Sequence, residues 1–373
     1  MGATEVPLAR NQALARSNEL DVEGEARLYR ALRHFWHPVI FSHEVTQTPR
    51  RVTLVGQDLV VVRLEGEISV FNDLCAHRGT ALSLGTVVND GTALRCAYHG
   101  WQYDREGLCV LAPQRPDLSK HLRARIKKHH SAERFGMVWV CLENEPRFPL
   151  PDFPQFDDDS YTKVFLDCED WACSAPRRTE NYCDLGHFAF VHDGYLGDIN
   201  RPEVPDHKAL RNDRCQRMDV ETSEPAHSGK YDALRHTGEV ITISKWHVYM
   251  PLTVRLDICL PEGHTYVLFF HPTPVGPRTT RNFTVGACNY GDPERTKTEI
   301  ASFQKIVYDQ DRPILESQRP EELPEDLSLE MYLKGVDTFH VTYRSWLVEL
   351  MRELVPADAP IDLPSAIGGS GEG

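Results

Sequence analysis

A chain of 373 residues, 41% apolar and 26% charged, is long enough for about two domains with a sizeable core and has the make-up of a folded globular protein. A net charge of −14 offers no basic stripe for phosphate backbones, which excludes nucleic acid as a partner but not electron-transfer proteins, which read local patches. No apolar run is long enough to span a bilayer and the first residues lack a signal-type apolar core, so no membrane association and a cytoplasmic location are expected.

Residues 22–36 place Leu28, Leu32 and Trp36 at four-residue steps among charged neighbours, which predicts an amphipathic helix leading into the first domain, within a lead-in of residues 1–35. Short β-branched runs then follow at residues 52–55, 59–64 and 68–71, separated by Gly56-Gln57-Asp58 and Glu65-Gly66-Glu67 turns. With a hairpin at residues 101–107 and a closing strand at 137–142, they predict a small all-β domain over residues 36–148. The Pro- and Asp-rich stretch around residues 149–160 reads as a linker.

A second domain is expected over residues 161–357. It begins with a helix at 175–191, passes through a polar loop reaching to about residue 230, and continues in strands at 239–250, 253–260, 264–271 and 281–288. Within these, Val254, Leu256 and Ile258 alternate with Arg255, Asp257 and Cys259, the sign of one buried face. A helix at 299–317 and a last one carrying Tyr343, Trp346, Leu347, Leu350, Met351 and Leu354 on one stripe complete an α+β fold, and residues 358–373 read as a disordered tail.

Two stretches carry the chemistry. Cys75-Ala76-His77 and Cys96-Ala97-Tyr98-His99 each supply one thiolate and one imidazole, with Gly79 and Gly100 just beyond. A [2Fe–2S] centre with two Cys on one iron and two His on the other needs this donor set from two facing loops. The same four donors could hold zinc, but zinc knuckles usually pair ligands of one kind within a turn. The remaining cysteines are scattered without framework spacing, as in a reducing compartment.

The second stretch is Asn181-Tyr182-Cys183-Asp184-Leu185-Gly186-His187, followed five residues later by His192. Residues five apart lie about 140° apart on a helix, so the two imidazoles meet at one metal only where the helix is irregular or ends. Asp184, one turn before His187, could orient its ring, and Phe188, Phe190 and Val191 would keep the site dry. Two His and one carboxylate form the facial triad of O2-activating Fe(II) sites, with Asp309, Asp311 and Glu316 as open candidates for the carboxylate.

Together and in this order, C-x-H…C-x-x-H and N-x-x-D-x-x-H-x4-H resemble the Rieske non-haem iron oxygenases, specifically the oxygenase (alpha) component, over residues 34–354. The resemblance implies a Rieske [2Fe–2S] domain, a helix-grip catalytic domain with a curved antiparallel sheet, and two cofactors, a [2Fe–2S] cluster and a mononuclear Fe(II). It places Cys75 and Cys96 on one cluster iron, His77 and His99 on the other, and His187 and His192 on the catalytic iron. The family's Asp followed five residues later by Glu selects Asp311, with Glu316, as the third ligand. Asp184 matches the aspartate that bridges to the cluster of a neighbouring subunit, and Asn181, opening the motif, joins it as a candidate catalytic residue.

The same resemblance implies a head-to-tail homotrimer, O2 and a small aromatic or polycyclic molecule as substrates, and mono-oxygenation or demethylation in preference to ring cis-dihydroxylation. No dinucleotide fingerprint or plant-type cysteine run is present, so a separate NAD(P)H-dependent reductase, with or without a ferredoxin, is expected to supply electrons. A plain electron carrier would need only the first domain. Trp246, Tyr249, Tyr266 and Phe269 are candidate pocket or core residues, and His247, His264 and His271 candidate pocket or surface groups.

Overall fold

The computed structural model describes residues 22–225, 239–356 and Ala359, and the chain divides into two units. The first comprises Arg33–Leu150 together with Thr273–Gly276. Three antiparallel sheets build it: β1 (His37–Phe41) with β10 (Met137–Cys141) and β9 (His130–Arg134); β2 (Arg50–Leu54), β3 (Gln57–Leu64) and β4 (Glu67–Asn72); and β5 (Thr86–Val88), β6 (Ala93–Arg95), β7 (Gln102–Tyr103) and β8 (Cys109–Leu111). Val55-Gly56 and Glu65-Gly66, all at positive φ, make the two-residue turns that pair Leu54 with Gln57 and Leu64 with Glu67.

Strand β3 is buried on both faces, which explains its unbroken Leu59-Val60-Val61-Val62 run. Leu59 and Val61 pack with Val52, Val70, Val138 and Val140 in one core. Val60, Val62 and Leu64 pack in another with Leu94, Tyr103, Cys75 and Cys96, so this second core anchors the cysteine loops directly. Thr273–Gly276 is tied in by Val55 N–H donating to Pro274 O (2.8 Å) and Gly56 N–H to Val275 O (2.7 Å).

The second unit comprises residues up to Leu32, Pro151–Pro272 and the chain from Pro277. An antiparallel sheet runs in the order β11 (Thr162–Phe165), β18 (Thr279–Cys288), β17 (Thr265–Gly276), β16 (Thr253–Cys259), β15 (Glu239–Tyr249), β14 (Cys215–Pro225), β13 (Leu210–Arg211), and β12 (Glu169–Trp171) also pairs with β18. Strand β14 lies where a polar loop was expected. Its inward residues are Gln216, Met218 and Val220 against outward Arg217, Asp219 and Glu221, so a period of two is present but a buried glutamine weakens its apolar signal. Residues 226–230 of that expected loop, and the whole expected tail apart from Ala359, lie outside the described residues.

Helix α1 (Val22–Leu32) belongs to this second unit and packs on α5 (Thr338–Leu354), whereas the sequence pattern suggested a lead into the first. The single helix expected over residues 175–191 is broken. It forms α2 (Ala175–Cys183), capped by Ser174 Oγ accepting from Arg177 N–H, and after an interruption at residues 184–187 the short α3 (Phe188–Val191). Helix α4 (Pro293–Ser317) starts a turn and a half earlier than expected because Asp292 caps it and Pro293 opens it. Its buried face carries Ile300, Phe303, Val307, Asp311 and Leu315. No described helix is long and apolar enough to cross a membrane.

Candidate metal centres

The first centre grows out of two loops built alike. Cys75 N–H donates to Thr80 O and Gly79 N–H to Cys75 O, each at 2.8 Å; in the second loop Cys96 N–H donates to Trp101 O at 2.8 Å and Gly100 N–H to Cys96 O at 3.1 Å. Gly79 and Gly100 both sit at positive φ, +68° and +71°, which side-chain-bearing residues rarely adopt. At Gly79 no protein atom lies within 4 Å of where a Cβ would be, so the turn itself demands the glycine.

These loops bury Cys75 and Cys96 next to each other and bring the His77 and His99 rings to 4.5 Å between centroids. Trp101 stacks on His77 at 4.6 Å between ring centroids. Among the described residues, buried Nδ1 of His77 has no hydrogen-bond partner, and this orphaned ring nitrogen lies on the His77 ring that packs against His99, on loops that also bury the two cysteines. Two soft thiols and two imidazoles fit a mixed-ligand [2Fe–2S] cluster. Buried Tyr103 adds a contact that the sequence did not reveal: its Oη lies 3.1 Å from Cys75 Sγ.

The second centre lies in the other unit. His187 is the residue before α3 and His192 the one after it, so the ends of one short helix, rather than one face, present the two rings. Nε2 of His192 lies 3.1 Å and Nε2 of His187 3.6 Å from Asp311 Oδ1. The rings are oriented from behind: His187 Nδ1 meets Asp184 Oδ2 at 3.1 Å, and His192 Nδ1 meets Gln310 Oε1 at 2.8 Å. With each Nδ1–H engaged, both Nε2 lone pairs point to the common position. Asn181 Nδ2 reaches Asp311 Oδ1 at 3.3 Å and His187 Nε2 at 3.5 Å.

Burial pushes the Asp311 carboxyl up, but the Arg178 guanidinium and the two imidazoles outweigh it and hold the group well below the usual carboxylate range. Burial likewise raises Asp184, and its hydrogen bond and charge contact with His187, helped by His340, leave it lowered. Asp311 is thus an anionic hard donor beside two imidazole nitrogens, a donor set that suits Fe(II). Asp309 instead pairs with exposed Lys305, and Glu316 accepts from Arg312 Nε (2.9 Å) and Ala172 N–H (3.0 Å), so neither reaches the histidines.

Above the triad a cavity is walled by Tyr182, Phe188, Trp246, Leu256 and Phe270. Trp246 is therefore a wall residue, with its indole N–H donating to Tyr182 O at 3.0 Å. Tyr249, Tyr266 and Phe269 do not line it; Phe269 stacks on Phe153 at 4.7 Å in the core. Nor do the three candidate histidines line it: His271 is buried against Thr253 Oγ1 at 2.8 Å, His247 sits near Asp257, and His264 packs edge-on against Tyr290.

The Rieske [2Fe-2S] domain family matches residues 35–124, and the vanillate O-demethylase oxygenase C-terminal domain family matches residues 171–353. The chain is 33% identical over 329 residues to methylxanthine N1-demethylase NdmA of Pseudomonas putida, covering 86% of this chain and 89% of that protein. The same shares are covered at 33% identity over 331 residues with methylxanthine N3-demethylase NdmB of the same organism. The chain belongs to the Rieske non-haem iron oxygenases. A solved structure of NdmA with caffeine superposes with a TM-score of 0.76 at 30% identity, over 88% of this chain and 96% of that one. Dicamba monooxygenase bound to dicamba, at 20% identity and a TM-score of 0.72, shares the fold.

As a member of that family the oxygenase uses a Rieske cluster and a mononuclear iron. Sequence reasoning missed Tyr103, Arg178 and Gln310. Of these, Gln310 had a signal, since it adjoins Asp311. Asp311 itself could have been singled out earlier, because it falls in helical phase with Ile300, Phe303, Val307 and Leu315, while Asp309 and Glu316 fall off that stripe.

Proposed function

We propose that this oxygenase oxidatively demethylates or hydroxylates a neutral aromatic or polycyclic small molecule, at an Fe(II) held by His187, His192 and Asp311. The cluster is held by Cys75 and Cys96 on one iron and His77 and His99 on the other. The observation that carries the reading is the meeting of two Nε2 atoms and one carboxylate oxygen at the floor of an aromatic and aliphatic cavity. A neutral substrate is favoured because the two charged groups in the wall, Arg178 and Asp311, pair with each other at 2.8 Å. Thr222, Ser244 and Gln304 offer uncharged hydrogen-bonding groups there. The relatives named for methylxanthine demethylation support the demethylase branch.

When bound, the iron supplies the site for O2 and the cluster supplies an electron. The chain's own part is to hold and to orient. Asp184 and Gln310 fix the imidazole tautomers, Asn181 braces Asp311 and His187, and Phe188, Trp246 and Phe270 keep water from the reacting face. We further propose a head-to-tail homotrimer, in which Asp184 joins His187 to the second cluster histidine of a neighbouring subunit. Electrons come from NAD(P)H through a separate reductase, with or without a ferredoxin. The cysteines outside the cluster loops, scattered without framework spacing, suit a reducing, cytoplasmic setting.

The test is turnover under 18O2 of the holoenzyme with a surrogate reductase and NADH, on a panel of neutral N- and O-methylated aromatics beside their carboxylated counterparts. Formaldehyde release, or one labelled atom in the product, from the neutral compounds is expected. Two labelled atoms in one product would establish ring dihydroxylation instead, and turnover of the carboxylates alone would refute the neutral-substrate reading.

A further inference from the structure

Arg178 is an odd residue to find on the inner face of α2. It has no exposed surface, and its guanidinium carbon lies 4.0 Å from the centroid of Tyr182, 4.2 Å from that of Trp171 and 4.8 Å from that of Tyr308. Three aromatic faces thus replace water around the cation. Among the described residues neither Nε nor Nη2 has a hydrogen-bond partner; all conventional hydrogen bonding is done by Nη1, which donates to Asp311 Oδ2 at 2.8 Å and to Asn181 Oδ1. An arginine that forgoes its usual two-pronged grip is placed to occupy one atom.

The atom it occupies matters. The two oxygens of Asp311 are divided: Oδ1 faces the ring nitrogens of His187 and His192 at 3.6 and 3.1 Å, while Oδ2 is turned away into the guanidinium. We propose that Arg178 is a positioning residue that holds Asp311 as a one-oxygen ligand to the catalytic iron and, as a fixed buried cation, biases that iron toward the ferrous state. The inference rests on the reading of Asp311 as the third iron ligand. With one oxygen withheld, two His and the carboxylate take three positions of an octahedron and leave three for O2 and substrate; a carboxylate binding through both oxygens would leave two. The cation also draws charge from the carboxylate, which weakens its donation to the more demanding Fe(III). The aromatic cage fixes the guanidinium plane, so Asp311 cannot rotate Oδ2 toward the metal without leaving a caged cation unpaired.

The first measurement needs no variant. X-ray absorption of the mononuclear iron, in holoenzyme whose cluster irons are subtracted using Asp311→Ala protein, should give one carboxylate oxygen; a two-oxygen carboxylate in the unaltered enzyme overturns the proposal. Asp311→Ala also separates the two readings, since it should lose the mononuclear iron and keep the cluster. If it keeps all its iron, the ligand assignment has failed, and the inference with it. If it loses that iron but the intact enzyme shows two oxygens, only the inference has failed. The second measurement compares Arg178→Met and Arg178→Lys. Methionine fills the cage without charge and should let Oδ2 join the iron, shifting the Fe(III)/Fe(II) ratio at fixed potential toward Fe(III) by on the order of tenfold; lysine, keeping the charge, should restore most of the ratio. A purely structural ion pair predicts lower thermal stability for both, with coordination and ratio unchanged in whatever iron remains bound, and that outcome refutes the proposal.

Discussion

Replacing Tyr103 by Phe tests whether the buried hydroxyl sets the potential of the cluster. Tyr103 is fully buried on β7 within the core that carries both cysteine loops, and Oη is 3.1 Å from Cys75 Sγ. Burial, with Cys75 beside it, holds the phenol far above its ordinary value, so it stays protonated, and against a cluster-bound thiolate it must be the donor. A hydrogen bond to a charged acceptor is worth about 1.5–3 kcal/mol, and only the part gained when the cluster takes up an electron appears in its potential. Taking about a third of that range gives ~0.5–1 kcal/mol, or roughly 20–45 mV at 59 mV per tenfold. Tyr103→Phe removes one oxygen and leaves the packing of Val60, Leu94 and Phe71 in place. The midpoint, read by redox titration of the holoenzyme with electron paramagnetic resonance, should therefore fall by that amount at unchanged iron and sulfide content. An unchanged or raised midpoint would show that the hydroxyl does not donate to the sulfur.

His192→Ala should cut iron from about three to about two per chain while sulfide stays at about two, because the cluster's ligands lie on separate loops; loss of sulfide as well would mean that the two centres are not independent. Asp184→Ala should leave both centres loadable and lower coupled turnover by at least about 10–100-fold, as measured by substrate oxidised per NADH; full coupling would remove Asp184 from the electron path. Burial raises the Glu322 carboxyl to about 7 from 4.5, even though Ser174 Oγ (3.0 Å), Tyr29 Oη (3.0 Å) and Leu323 N–H (2.7 Å) all lie within hydrogen-bond reach. Its contribution to stability is thus complete below the unfolded value and is lost as pH rises toward 7, about 3 kcal/mol in all. Glu322→Gln, which can donate to Tyr29 Oη while Tyr29 donates to Pro277 O (3.0 Å), should flatten the fall in melting temperature between pH 5 and pH 8, and an unaltered slope would place the titration elsewhere.

What could be read from the sequence followed the range of the interactions. The cluster loops were legible because everything they need is local: each carries its cysteine, its histidine and its own positive-φ glycine within a few residues. The histidine pair was half legible. Its spacing forbade one helical face, and the structure resolves the conflict by ending α2 at Cys183 and presenting the rings from both ends of α3. Strand β14 was hidden because Gln216, whose Nε2 donates to Phe339 O on α5, takes an inward position that an apolar count scores as outward. Tyr103 and Arg178 could not have been found at all, since each acts on a partner far along the chain and neither belongs to a spaced motif.

That last failure carries an argument of its own. Charge alone would assign Arg178 and Asp311 to the surface, and the structure buries both among tyrosine, tryptophan and aliphatic side chains. An enclosed ion pair is poor value for stability, because removing two charges from water costs several kcal/mol per ion and well-packed apolar residues of the same size often do as well or better. Arg178 also leaves two of its nitrogens without hydrogen bonds, which makes a purely structural origin still less economical. Arg344, buried and bound by Glu180 through both carboxylate oxygens and by Tyr332 at 2.9 Å, shows what an arginine kept for structure looks like in the same unit. The contrast between the two is the reason to look for the role of Arg178 in the carboxylate it holds rather than in the fold.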